Sequence, residues 1–193
     1  MPTSDASFLI PAALQCTVDR LEVSTLVYLP PPEIYDFLVD FPRYGKYSKH
    51  LDEITRYGDG SPETEYDLTF AWWKLSYTAR SKVTGVEPPE RIEWRLVKDL
   101  NAKGHWRIEP EPEAALEEKG TASRVYFFVE YEPSSASTGA IDLPSLVSMD
   151  WVIEKVTPKI KAEAEEVVRR VVRDLEGERR EVTLDIHRTP RSE

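Results

Sequence analysis

The sequence predicts an α+β domain in which a curved antiparallel sheet of about seven strands is wrapped on a long C-terminal helix, with two short helices after the first strand. Three observations predict it. Residues 143–177 carry apolar side chains at intervals of three and four, the spacing of one helix face. Seven earlier segments read as strands, and six of them alternate apolar and polar residues, as half-buried strands do. Pro30-Pro31-Pro32 ends the first of these segments abruptly and opens a helical pattern.

The first strand is read from Thr17 to Leu29, with Leu21, Val23, Val27 and Leu29 on one face and Arg20, Glu22 and Ser24 on the other. A proline is tolerated in a first helical turn and Glu33 suits a helix N-terminus, so Glu33 to Val39 is a helix packing Ile34, Phe37 and Leu38. A second short helix covers Arg43 to Ser48. Leu51 to Tyr57 is the second strand, closed by the turn Gly58-Asp59-Gly60-Ser61-Pro62. Thr64 to Trp73 follows, with Tyr66, Leu68, Phe70 and Trp72 on one face. Leu75 to Val86 turns Leu75, Tyr77, Ala79 and Val83 inward. No glycine marks the hairpin around Trp72-Trp73-Lys74. Arg91 to Lys98 and Ala102 to Glu109 are the fifth and sixth strands, with Trp94 and Trp106 inward. Ser123 to Tyr131 is the seventh, with Phe127 and Tyr131 on its inner face. Short links between successive strands favour an antiparallel meander.

Ile153, Val156, Ile160, Ala164, Val168, Val171 and Leu175 form the apolar stripe of the last helix, and Lys159, Lys161, Glu163, Glu165, Glu166, Arg169, Arg170 and Arg173 its remaining surface. Gly177 is a natural stop, and the arginines suit the negative end of the dipole. Pro158 should bend the helix or divide it near Thr157. A helix of about 25 residues spans roughly 35–40 Å, so its stripe needs a cover of similar length, which the strands supply.

At 193 residues one domain is expected. Its boundaries are read as an N-terminal arm over 1–16, the domain over 17–177, and a tail over 178–193. In the tail, Glu181 to His187 alternates as an extra edge strand. The start, MPTSDASFLIPAAL, has no basic region and reads as a loose arm rather than a signal peptide. No apolar run is long enough to span a membrane, and the single Cys16 fits a reducing interior, so a cytoplasmic location is expected. A net charge of −10 argues against a nucleic-acid partner. The acid excess, with fifteen Arg against ten Lys, fits either a haloarchaeal, high-salt cytoplasm or an ordinary solubilising surface.

Two phrases carry a resemblance. VYLPPPEIYDFLVDFPRYGKYSKHLDEI, from Val27, resembles the opening of polyketide cyclase/dehydrase-type and coenzyme Q-binding members of the SRPBCC, or START-like (Bet v 1-like), superfamily. There a strand leads into a proline-started helix, then an aspartate and a Phe-Pro-x-Tyr step. VTGVEPPERIEWRL, from Val83, is similar to the turn between strands four and five of the same group. The resemblance runs from about Val18 to Glu176 and implies the helix-grip fold. The tail after Gly177 and Pro158 in the grip helix depart from it.

A curved sheet and one helix close on each other only if large side chains fill the gap; otherwise a cavity remains. The candidate lining is Tyr66, Leu68, Phe70, Trp72, Tyr77, Trp94, Trp106, Phe127 and Tyr131 from the strands, and Ile153, Val156 and Ile160 from the helix. These residues either wall a pocket for a lipid, quinone or polyketide-like molecule or fill the interior. His50, His105 and His187 stand alone without metal-ligand spacing, and no phosphate loop or nucleophile elbow is present. Neither a metal nor a cofactor is therefore expected. Asp150 is either a buried acid at the cavity mouth or a charge matching the helix dipole. Asp67 and Arg80 are expected to pair across two strands on the outer face, where His105 also points.

Three functions follow from this reading: binding or transport of a hydrophobic small molecule, a cyclase/dehydrase-type enzyme using cavity Tyr, Asp or Arg groups, and a protein-binding module. In the third, the edge strand or tail docks a partner or forms a homodimer. A buried pairing of Tyr77 with Asp150 would favour the enzyme.

Overall fold

The computed structural model describes residues 18–72, 75–135 and 149–188, with side chains described for all of these except 72, 75, 133, 149–161 and 188. The chain runs β1 (Asp19–Val27), α1 (Pro31–Val39), a 3-10 helix (Phe41–Lys46), β2 (Leu51–Tyr57), β3 (Glu65–Trp72), β4 (Leu75–Glu87), β5 (Arg91–Leu96), β6 (Ala102–Pro110), β7 (Ser123–Tyr131), α2 (Met149–Glu176) and β8 (Asp185–Arg188). All strands belong to one antiparallel sheet in the order β2-β3-β4-β5-β6-β7-β1-β8. The helix-grip architecture expected from the sequence is therefore present, with β8 as an eighth strand at the β1 edge.

The register follows the alternation. Leu68 faces Ala79 and Phe70 faces Tyr77 across β3 and β4, while Ile92 faces Trp106 and Trp106 faces Phe127 further along. The β3–β4 hairpin, unmarked by glycine, turns between Trp72 and Leu75, which pair directly. Between the inner face and α2 lies a core of Val27, Ile34, Phe37, Leu38, Val83, Ile92, Ile108, Val125 and Val172. Phe41 packs on Tyr66 at 4.7 Å, and Phe37 on Tyr47 at 5.6 Å. The Tyr44 hydroxyl donates to Leu38 O at 2.5 Å and so closes the corner between the two short helices.

Several boundaries differ from expectation. The second short helix is a 3-10 turn over Phe41–Lys46, not a helix over 43–48, because Pro42 falls in its first turn and seeds it earlier. β1 ends at Val27 rather than Leu29, just ahead of the proline run. β5 ends at Leu96 rather than Lys98, and Asp99 takes a φ of 69° in the turn that follows. Pro158 does not divide α2, which continues through it as one helix of 28 residues. A proline removes a single i to i−4 hydrogen bond, and packing of the rest of the helix outweighs that loss. In the tail, strand pairing starts at Asp185 rather than Glu181. Among the described residues, no helix is long and apolar enough to cross a membrane.

The tail is fastened to the sheet by side chains as well as by its ladder. Thr25 Oγ1 donates to Thr183 O at 2.9 Å, Ser24 Oγ meets His187 Nε2 at 2.8 Å, and Arg124 Nη1 reaches Asp185 at 2.9 Å.

Candidate ligand cavity

A cavity of about 630 Å³ lies between the sheet and α2. Its wall is almost entirely carbon. The helix contributes Ala164, Val167, Val168, Val171, Val172 and Leu175, which recur at helical spacing and so share one face. The sheet contributes Thr25, Val27, Leu51, Leu68, Phe70, Tyr77, Trp106 and Val125, and α1 closes one side with Ile34, Phe37 and Leu38.

The cavity has two unlike ends. Leu175 and Val172 sit with Val27, Ile34, Leu38 and Val125, a mainly apolar end that also holds Thr25, the β1 residue opposite Val125. Glu163 lies twelve residues earlier on the helix, about 18 Å away along the axis. Ser48, His50, Ser76 and Tyr77 gather in that direction. Sheet register brings them together: Leu51 pairs with Phe70, Phe70 with Tyr77 and Ala71 with Ser76. Ala71 N donates to His50 O at 2.8 Å, and His50 Nδ1 meets Ala71 O at 3.3 Å. A carbonyl only accepts, so Nδ1 carries the proton in that contact.

The Glu163 side chain is only 10% exposed and is held from several sides. Ser48 Oγ and Lys49 N each donate to Oε1 at 3.3 Å. Lys49 Nζ lies 3.5 Å and His50 Nε2 4.0 Å from Oε2, and Arg170 Nη1 lies 3.7 Å from Oε1. Arg170 in turn donates to Tyr47 O at 2.6 Å. Burial pushes the Tyr44 hydroxyl well above the usual phenol range, with Asp40 adding to the effect, and burial also raises Tyr77. Both are neutral phenols near neutral pH, able to donate a hydrogen bond but not to act as bases.

Of the lining expected from the sequence, Leu68, Phe70, Tyr77 and Trp106 are in the wall. Tyr66, Trp94, Phe127 and Tyr131 are not among its residues. Tyr66 is buried against Phe41. Trp94 stacks on Phe127 at 5.8 Å and Phe127 on Trp106 at 4.6 Å, so these rings fill their own space. Tyr131 sits at the end of β7, opposite Ala102 and Asp19. The side chains of Trp72, Ile153, Val156, Ile160 and Asp150, and residue Trp73, lie outside those described, as does any pairing of Tyr77 with Asp150. His105 is on the outer face, stacked on Phe128 at 5.0 Å. Sequence reasoning missed Glu163 and His50. The signal for Glu163 was its place at the head of the row Val167, Val171, four residues apart, although its charge suggested solvent. His50 carried no pattern at all, since it precedes a strand rather than lying in one.

Residues 27–144 match the family model for polyketide cyclase / dehydrase and lipid transport proteins, which covers more than half of the chain. The chain belongs to this family. Solved structures of the same fold include the Zhui aromatase/cyclase of Streptomyces sp. R1128, at a TM-score of 0.57 and 12% identity over 83% of this chain and 94% of that one. The protein TTHA0849 of Thermus thermophilus matches with a TM-score of 0.56 and 14% identity over 82% and 97%. A START superfamily protein of Mycobacterium smegmatis matches with a TM-score of 0.55 and 15% identity over 81% and 99%. At these identities the likeness is one of fold. No curated protein matches the sequence.

Proposed function

We propose that this protein binds a hydrophobic small molecule, a lipid, quinone or polyketide-like compound, in the cavity between α2 and the sheet. The observation that supports this reading is the carbon-walled space of about 630 Å³, a volume suited to a drug-sized ligand. An ordinary core closes to near-crystalline density, so an apolar void of this size in a filled interior would cost stability without return. The family description, which names lipid transport beside cyclase and dehydrase activity, agrees with it.

The test is native mass spectrometry of protein purified from its own host, followed by solvent extraction. A co-purifying apolar compound is the expected result. A bare protein mass, together with no binding of a neutral apolar fluorophore, would overturn the reading.

One observation favours a second reading, catalysis of the cyclase/dehydrase type. Glu163 and His50 place a carboxylate and an imidazole at one end of an apolar chamber, where a proton could be moved on a bound substrate. Turnover of a polyketide-like substrate that is lost in Glu163→Gln, with binding retained, separates this reading from simple carriage.

A further inference from the structure

We propose that the free edge of β2 docks a second copy of this chain, through an antiparallel β2–β2 ladder centred on Ile54.

The sheet begins at β2, so among the described residues one side of that strand has no neighbour. Leu51–Tyr57 is seven residues long, and the backbone groups on its outer side form a row that another strand can complete. Asp52, Glu53, Arg56 and Tyr57 are exposed along it. The opposite edge is a poorer template. There β8 has four residues, and its Asp185 is already held by Arg124.

Charge selects the occupant. Tyr57 is committed to Asp67 and Arg80, and Glu53 accepts from Thr55 Oγ1 at 3.1 Å. Asp52 and Arg56 make no ion pair or side-chain hydrogen bond among the described residues. They are opposite in sign and stand symmetrically about Ile54. An antiparallel copy in register on Ile54 therefore sets Asp52 of each chain opposite Arg56 of the other. The same register sets Glu53 opposite Thr55 and Leu51 opposite Tyr57, with no like charges directly opposed. A slip of two residues sets Glu53 against Glu53 in one direction and Asp52 against Gly58 in the other, so the pattern favours one register. The β2–β3 ladder is irregular between Leu51 and Glu53, and the long arginine side chain spans the displacement this gives Asp52.

A two-fold axis perpendicular to the sheet generates this pairing, so one continuous sheet carries both α2 helices on the same side. Leu51 belongs to the cavity wall, which puts the joint beside the chamber of each copy. An edge bearing both signs in this order rejects strands that lack the matching order. A seven-residue ladder buries less than the roughly 1,200 Å² of a stable interface, and each chain carries a net charge of −10, so the dimer is weak and forms with rising concentration.

The experiment is sedimentation velocity of the full chain from about 10 μM to about 0.5 mM at roughly 0.15 M salt. Wild type is expected to pass from monomer to dimer across that range. Asp52→Arg and Arg56→Asp each oppose like charges and should each stay monomeric. An equimolar mixture of the two single variants restores both pairs, and native mass spectrometry should then show a dimer with one chain of each. Wild type that stays monomeric throughout overturns the proposal. So does a dimer that persists in both single variants, or a mixture that stays monomeric. Should a single variant not fold, the double variant Asp52→Arg with Arg56→Asp exchanges the pair and should dimerise as wild type does; a monomeric double variant overturns the proposal.

Discussion

The Arg80 guanidinium grips the Asp67 carboxylate with two parallel hydrogen bonds, Nε to Oδ1 at 2.7 Å and Nη2 to Oδ2 at 2.6 Å, across directly paired positions of β3 and β4. Tyr57 adds a third contact, its hydroxyl donating to Oδ2 at 3.2 Å. The pair lies on the outer face, as its alternation with Leu68 and Ala79 requires, and takes no part in the cavity. The hydrogen bonds from Arg80 hold the Asp67 carboxyl below the usual carboxylate range. A depressed folded pKa stabilises the protein in full above the unfolded value of about 3.9, and the contribution is lost as pH falls through the lower folded value. The difference in Tm between wild type and Asp67→Asn should therefore be largest near neutral pH and shrink below about pH 4. Ligand binding near neutral pH should be the same in both proteins.

At the other end of the sheet a buried carboxylate depends on one arginine. Glu176, the last residue of α2, has a fully buried side chain that accepts from Arg180 Nε at 2.7 Å, Arg180 Nη2 at 2.8 Å and Tyr28 N at 2.8 Å. Arg180 also donates to Leu26 O at 2.6 Å and lies over the Tyr28 ring. Removing the arginine leaves a buried carboxylate without its counter-ion, so Arg180→Ala should cost about 3–5 kcal/mol in urea unfolding. Adding Glu176→Gln to that variant should recover part of the loss, because the orphaned charge is then gone. Full additivity of the two changes would contradict the coupling.

Gly104 is required by what crosses it. A Cβ built there falls 2.6 Å from Trp94 Cζ2 and overlaps the backbone oxygen of Phe128. The Trp94 indole can lie flat toward Phe127 only because the opposing residue on β6 has no side chain. Gly104→Ala should therefore lower stability by about 3 kcal/mol, read as a fall in the urea midpoint. A change of only a few tenths would show that the sheet yields at this point.

The cavity makes its own prediction about stability. Val168 faces it from the middle of the α2 stripe. Val168→Phe places more carbon in existing space, so Tm should hold or rise, while affinity for a neutral apolar fluorophore should fall by about tenfold or more. Binding that survives unchanged would place the ligand somewhere else. The paired readout matters because a variant that loses both folding and binding says nothing specific about the chamber.

Local chemistry made most of the fold readable. Two strands, Leu51–Tyr57 and Ser123–Tyr131, run over the residues expected of them, and in the second Val125, Phe127, Val129 and Tyr131 alternate with the period of two of a half-buried strand, where a register slip would turn every side chain over. Proline and glycine punctuation located α1 and the end of α2 for equally local reasons. The reading failed where a local rule competes with packing. Pro158 weakens a helix but does not divide one anchored along its length.

The candidate site was legible only as a set of inward faces. Alternation says that Trp94, Phe127, Phe70 and Tyr77 share the inner side of the sheet, but not which rings stack on each other and which face an opening. That was decided by a glycine on the neighbouring strand, by the Trp94–Phe127–Trp106 stack, and by α1 folding over one side of the chamber. Nor does periodicity reveal that a glutamate at the edge of an apolar stripe turns inward when a loop serine, a loop amide and two cations converge on it. Hydrophobic period and turn chemistry are properties of neighbours along the chain, so the sequence by itself determined the elements and the faces they bury. Cavity shape and the polarity of its end depend on side chains from elements far apart in the chain, Ser48 and Glu163 among them at a separation of 115, and only the tertiary structure decided those.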